Sequence, residues 1–86
     1  MTLAVLTPLR QIEILTADKS SYLLEEFHDF ATLTKKCADG TIEVFDNVEI
    51  EYQDLRPGFP LSWSEIVFDG SVLTHEAARV VSAQIL

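Results

Sequence analysis

Six consecutive residues, Glu25-Glu26-Phe27-His28-Asp29-Phe30, gather three carboxylates and one of the chain's two histidines. Glu25 and His28 stand three apart, a spacing that on a helix places them on neighbouring turns. In carboxylate-bridged dimetal bundles two such pairs converge with two further glutamates. Only one copy occurs here, so a metal site on Glu25 and His28 would have to be completed by a symmetric oligomer. The plainer reading is a solvated helix face with Phe27 and Phe30 on its buried side. A second set, Cys37 with His28, His75 and nearby carboxylates, supplies by type a nucleophile, a base and an orienting group. No local signature surrounds Cys37, and a lone cysteine beside a turn usually packs as a small apolar residue. His75 and Glu76 are adjacent and would not face each other on a helix. Three glycines, each in an Asp-Gly or Pro-Gly turn, leave none to cradle a phosphate. No catalytic residue and no cofactor is assigned, and a non-enzymatic protein is expected.

Charge is the stronger signal. The chain has 86 residues, 14 acidic against 6 basic, for a net charge of −8. No lysine or arginine lies between Lys36 and Arg56, whereas Asp39, Glu43, Asp46, Glu49, Glu51 and Asp54 all do. Direct nucleic-acid binding requires clustered cations and is disfavoured; attraction to basic surfaces is favoured. The single cysteine rules out an internal disulfide framework and fits a reducing, cytoplasmic setting. The short apolar run before Thr7 lacks the basic start and the length of a signal peptide. No stretch approaches the ~20 apolar residues of a membrane helix, so a soluble chain with no membrane partner is expected.

The elements that would position these residues follow from periodicity. One domain over residues 1–86 is expected, with 48% apolar residues to build a thin core. Pro8 interrupts two short apolar runs, the second of which, around Ile12 and Ile14, reads as a strand. Residues 18–31 read as a helix: Asp18 or Ser20 would cap it, and Leu23, Phe27, Phe30 and Ala31 share a face at 100° per residue. Asp39-Gly40 predicts a two-residue hairpin pairing Lys36 with Glu43, and Asp69-Gly70 predicts another pairing Val67 with Val72. Between them Ile42, Val44, Val48, Ile50 and Tyr52 alternate with Glu43, Glu49 and Glu51, which predicts one long strand, bulged at Asp46-Asn47. Pro57-Gly58 suits the centre of a type II turn. Thr74 would cap a C-terminal helix over 75–85, with Ala77, Val81 and Ile85 on one face. No internal repeat is evident. The fold class predicted is α+β: an antiparallel sheet of four or five strands with one helix near 18–31 and one near 75–85.

On that frame the candidate site is the outer face of the long strand. Glu43, Glu49 and Glu51 would form an acidic stripe with Phe45 among them, and Phe59 and Trp63 would add aromatic anchors. A strand's wet face must be polar in any case, and glutamates serve. The functional reading is a small acidic module, an adaptor, inhibitor or accessory subunit, that engages a partner protein's basic surface and in its sharpest form mimics nucleic acid. The alternatives are the Glu25/His28 metal protein and a structural homodimer.

Overall fold

The computed structural model describes residues 7–86, and the apolar run preceding Thr7 lies outside the described residues. The fold is almost entirely β, which corrects the α+β expectation. β1 (Arg10–Thr16), β2 (Ser21–Glu26), β3 (Ala31–Lys36), β4 (Ile42–Phe45), β5 (Val48–Glu49), β6 (Pro60–Ile66) and β7 (Val72–Ile85) form one antiparallel sheet, with a single 3-10 turn at Tyr52–Asp54. Their order across the sheet is β4-β3-β2-β1-β7-β6-β5. Every neighbour is therefore a sequence neighbour except β1 and β7. The two end strands, β4 and β5, are separated in the chain only by Asp46 and Asn47.

That adjacency makes the sheet curl into a nearly closed barrel. Six antiparallel steps separate β4 from β5 across the sheet, so the two run in the same direction. Together they occupy one strand position, whose first half pairs with β3 (Leu33 opposite Phe45) and whose second half pairs with β6 (Val48 opposite Glu65). Asn47, at φ 52, makes the kink, and its carbonyl accepts the Ile66 N–H at 3.0 Å. Asn tolerates this left-handed conformation better than most residues.

Both expected helices are strands, for different reasons. In residues 21–26 the adjacent Leu23-Leu24 and the glutamates imitate a helical stripe, but Tyr22 and Leu24 alternate inward beside Ile12, Ile14 and Leu33. Glu25 to Phe30 is then the end of β2 and its hairpin. The Phe27 N–H bonds the Phe30 carbonyl at 2.8 Å, and the two rings stack at 4.8 Å. β7 is a fourteen-residue strand that serves β6 with its first half and β1 with its second. Its pairing register shifts once against each partner, between Pro60 and Ser62 of β6 and between Leu15 and Thr16 of β1. Each shift places an extra residue on β7, so the core-directed residues Ala77, Val80 and Ala83 fall three apart rather than two. Bulges of this kind bend and coil a strand, as a closing barrel requires. They also give the sequence a spacing intermediate between strand and helix, which is why a helix was expected.

Three of the hairpins use one turn. In Thr16–Ser20, Cys37–Thr41 and Val67–Ser71, the first residue's N–H bonds the fifth residue's carbonyl at 3.1, 2.8 and 2.9 Å. The fourth residue, Lys19, Gly40 or Gly70, has φ 67, 91 or 86 and donates its N–H to the first residue's carbonyl. The third is always aspartate, accepting the N–H of Ser20, Thr41 or Ser71 at 3.1, 2.9 and 2.8 Å. These are three-residue loops, a type I turn followed by a left-handed residue, so both Asp-Gly hairpins shift by one from the predicted pairing: Lys36 faces Ile42, and Ile66 faces Val72. The chain thus carries a recurrent Asp-(Lys/Gly)-(Ser/Thr) turn that inspection for long repeats overlooks. The Pro57-Gly58 turn also forms, closed by the Phe59 N–H on the Arg56 carbonyl at 3.1 Å with Gly58 at φ 93.

Two consequences can be measured. Of the three turns, only that of Lys19 carries the steric cost of a left-handed side chain, about 1–2 kcal/mol, part of which is offset in the unfolded state by its stiffer backbone. Lys19→Gly should therefore raise unfolding free energy by about 0.5–1 kcal/mol in denaturant titration, while Gly70→Ala should lower it. Unchanged stability in both would refute the turn assignment. The three aspartates also link the turns to pH. Asp18 is held below its ordinary carboxylate value by the Thr16 hydroxyl first, Asp39 by the Thr41 amide, and Asp69 by the Ser71 hydroxyl and amide. A lowered folded-state pKa means the contribution is fully present above the ordinary value and disappears as pH falls through the depressed one. Thermal melts between about pH 5 and pH 2 should show this acid limb, and it should be shallower in a triple Asp→Asn chain.

Candidate functional site

The residues of the expected acidic stripe do not share a face. Phe45 turns inward, opposite Leu33, while Ile42 and Val44, at 61% and 60% exposure, project from the other face of β4, and Glu43 is exposed as well. Glu43 lies across from Lys35. Beyond the kink the phase changes: Val48 is buried, while Glu49 and Glu51 are exposed.

Phe45 and Trp63 belong to the core. Trp63, 5% exposed, meets Phe45 edge-on at 5.3 Å, stacks on His75 at 5.3 Å and lies 5.8 Å from Tyr22. Phe45 also packs on His75 at 5.1 Å, and His75 Nε2 is 3.1 Å from Glu65 Oε1. Four strands thus contribute rings to one cluster. Within it the Tyr22 hydroxyl and Trp63 Nε1 are buried without a hydrogen-bond partner among the described residues. Burial pushes the Tyr22 hydroxyl up, with Lys35 opposing. Phe59 stays at the surface, beneath the Arg56 guanidinium at 4.8 Å.

Neither chemical constellation assembles. Without a helix, Glu25 and His28 lose their shared face: Glu25 accepts a bond from Gln11 Nε2 at 3.2 Å, and exposed His28 is on the hairpin beside Asp29. No group of three or more potential metal ligands occurs among the described residues. Cys37 and His28 flank opposite ends of β3, about 20 Å apart at the rise of a six-residue strand. His75 is occupied by Glu65 and two aromatic rings.

At one end of the barrel Arg10 Nε donates to Glu26 Oε1 at 2.6 Å, and the Tyr52 hydroxyl donates to the other Glu26 oxygen. The guanidinium lies 4.4 Å above the Tyr52 ring, and its pKa is raised by the bond to Glu26. Arg10 and Tyr52 border a cavity of about 250 Å³ completed by Ile12, Leu55, Ala83 and Ile85. Arg10 Nε and the Tyr52 hydroxyl both bond Glu26, so this cluster acts as a clamp that joins β1 and β2 to the 3-10 turn.

The arrangement with free polar groups is the outer face of β5, β6 and β7. Glu49 pairs with Ser64, Ser64 with Thr74, and Ser62 with Glu76. Glu49, Glu51, Ser62, Ser64 and Thr74 line a shallow cavity of about 150 Å³, whose remaining wall is Ile50 and Trp63. Among the described residues Glu49, Glu51 and Glu76 form no ion pair. Carboxylates interleaved with hydroxyls offer acceptors to an ammonium or guanidinium group. Thr74 and Glu76 are read from the sequence as the start of a helix rather than as part of this face, and Ser62 and Ser64 are not singled out by it. Their signal is the alternation Leu61-Ser-Trp-Ser, small hydroxyls set between two core residues. No protein-family model, curated protein or solved structure matches the chain. No helix among the described residues is long and apolar enough to cross a membrane.

The two core assignments separate by mutation. Phe45→Ala should cost about 3 kcal/mol of unfolding free energy and red-shift Trp63 emission. Tyr22→Phe, which removes a partnerless buried hydroxyl, should be neutral or stabilising by up to about 1 kcal/mol. A Phe45→Ala chain that unfolds like wild type would return Phe45 to the surface.

Proposed function

We propose that this protein is a small non-enzymatic binding module that engages the basic surface of a partner protein through the outer face of β5, β6 and β7. The observation that supports this is that face itself: Glu49, Glu51 and Glu76 without intramolecular cations, set among three hydroxyls. A strand's wet face requires polarity but not one sign of charge. Like charges side by side repel, and a cationic partner removes that cost. The net charge of −8 adds long-range steering toward such a partner. Phe45 and Trp63 play no contact role in this reading; they hold up the sheet on which the acidic face is displayed. A cytoplasmic setting, in keeping with the single free Cys37, belongs to the same proposal.

The test is binding to a lysine-rich peptide by fluorescence anisotropy. Affinity should fall several-fold between about 0.05 and 0.3 M salt as the Debye length shrinks. It should also fall in a Glu49→Gln, Glu51→Gln, Glu76→Gln chain whose melting is unimpaired. Salt-indifferent binding, or full binding by the triple variant, refutes the proposal. A solution mass twice that of the chain, with no peptide binding, favours the structural homodimer.

A further inference from the structure

β4 occupies one end of the sheet, so one of its edges has no strand partner. The phase of its ladder shows what that edge presents. Antiparallel pairs alternate between those that exchange backbone bonds and those whose backbone groups point away. The Cys37 N–H to Thr41 carbonyl bond, 2.8 Å, makes 37–41 a bonded pair. Lys36–Ile42 and Thr34–Val44 are then non-bonded pairs, and the N–H and C=O groups of Ile42 and Val44 face the open edge. No turn or loop bond among the described residues reaches them. The Ile42 and Val44 side chains stand exposed beside this edge.

Sheets usually blunt such an edge with lysine, proline or a bulge, or by keeping it short. β4 is short, four residues, and its one charged side chain is Glu43; it has no lysine, proline or bulge, and the two residues presenting free backbone are apolar. Charge selects the occupant. Asp39, Glu43 and Asp46 lie in or beside β4, and no basic residue occurs from Cys37 to Leu55. The lysines of β3 lie on the paired side. A second copy of the chain would bring another −8 to the same place, and like-charge repulsion opposes it.

We propose that the open edge of β4 takes up an extended basic segment of the partner protein as an added strand. Its backbone bonds Ile42 and Val44, its apolar side chains lie beside theirs, and its cationic ones lie beside Glu43. This rests on the reading of the protein as a binder of basic partners and adds a second, backbone-mediated contact to it.

The probe is a capped peptide of about seven residues alternating valine and lysine. Amide hydrogen exchange of the wild-type chain, followed by NMR, should show the Ile42 and Val44 amides slowed on peptide addition. Val44→Pro removes a donor from the open edge and leaves the β3 ladder intact, a placement that edge strands accept. It should weaken peptide binding about tenfold or more at unchanged melting temperature, and Glu43→Lys should weaken binding and flatten its salt dependence. Peptide binding that leaves Ile42 and Val44 unprotected and shifts Glu49, Ser64 and Thr74 instead overturns the edge site and spares the acidic face. Absence of binding at low salt overturns both. Protection of Ile42 and Val44 without peptide, together with a doubled mass, assigns the edge to a second copy and overturns the proposal. Should Val44→Pro fail to fold, the wild-type exchange result decides alone.

Discussion

The contact of Phe45 with Trp63 and His75 is the one on which the barrel depends. Phe45 is hydrogen-bonded into the β3 side of the sheet, whereas Trp63 and His75 belong to β6 and β7. Between those two groups the ladder is interrupted, because β4 ends at Phe45 and β5 begins only at Val48. Backbone pairing therefore cannot by itself hold the seam shut at that level. Side chains do so, by burying three rings against one another with Tyr22 behind them. Aromatic pairs in such arrangements contribute about 0.5–1.5 kcal/mol beyond the area they bury. In a chain this short, with no disulfide to assist, that is a large share of what stability a thin core can supply.

The remaining architecture follows from asking one strand to serve two partners. The β4–β5 strand does so through a kink, which leaves each half with one unpaired side. β7 also has one strand partner along each half, but it passes from β6 to β1 as one unbroken strand that carries two extra residues. The difference is legible in the register: β7 changes neighbours with its ladder shifted, β4–β5 with its ladder broken. Short connections between the other strands complete the barrel, and three of them use the same aspartate-centred turn. Each aspartate satisfies the amide of the residue just before the returning strand, so chain reversal leaves that donor paired.

How much of this could be read from the residues varies with how local the cause is. The positions of the Asp-Gly and Pro-Gly turns were legible because two residues mark them, but the three-residue form of the Asp-Gly loops, which shifts each ladder by one, was not. The alternation across 42–50, with its irregularity at Asp46-Asn47, was also legible as an extended segment. What was not legible is the inversion of phase there, since it depends on Phe45 finding Trp63 across the seam. Ile42 and Val44 looked buried by parity and are exposed. β2 and β7 were misread because leucines, glutamates and alanines favour helix locally, while partners far away in sequence fix them as strands. In β7 the bulges also stretch the apolar spacing toward a helical one. Of the candidate site, the glutamates were found as surface groups, but their true neighbours, Ser62, Ser64 and Thr74, come from strands that only the sheet order brings beside β5.

The kink thus links folding to surface chemistry. A straight strand from Ile42 to Glu49 would place Phe45 and Glu43 on the face shared with Glu49. It would leave Trp63 without its edge-on neighbour. Turning at Asn47 sends Phe45 inward and Glu49 outward, which completes the aromatic cluster and lets the carboxylate meet the hydroxyls of β6 and β7. The same turn takes β4 away from β6 before its own outer edge is paired, exposing the backbone of Ile42 and Val44 within the most acidic part of the chain. Closing the core and displaying an acidic, partly unpaired seam are therefore one structural event. A substitution that straightened Asn47 would disturb both together.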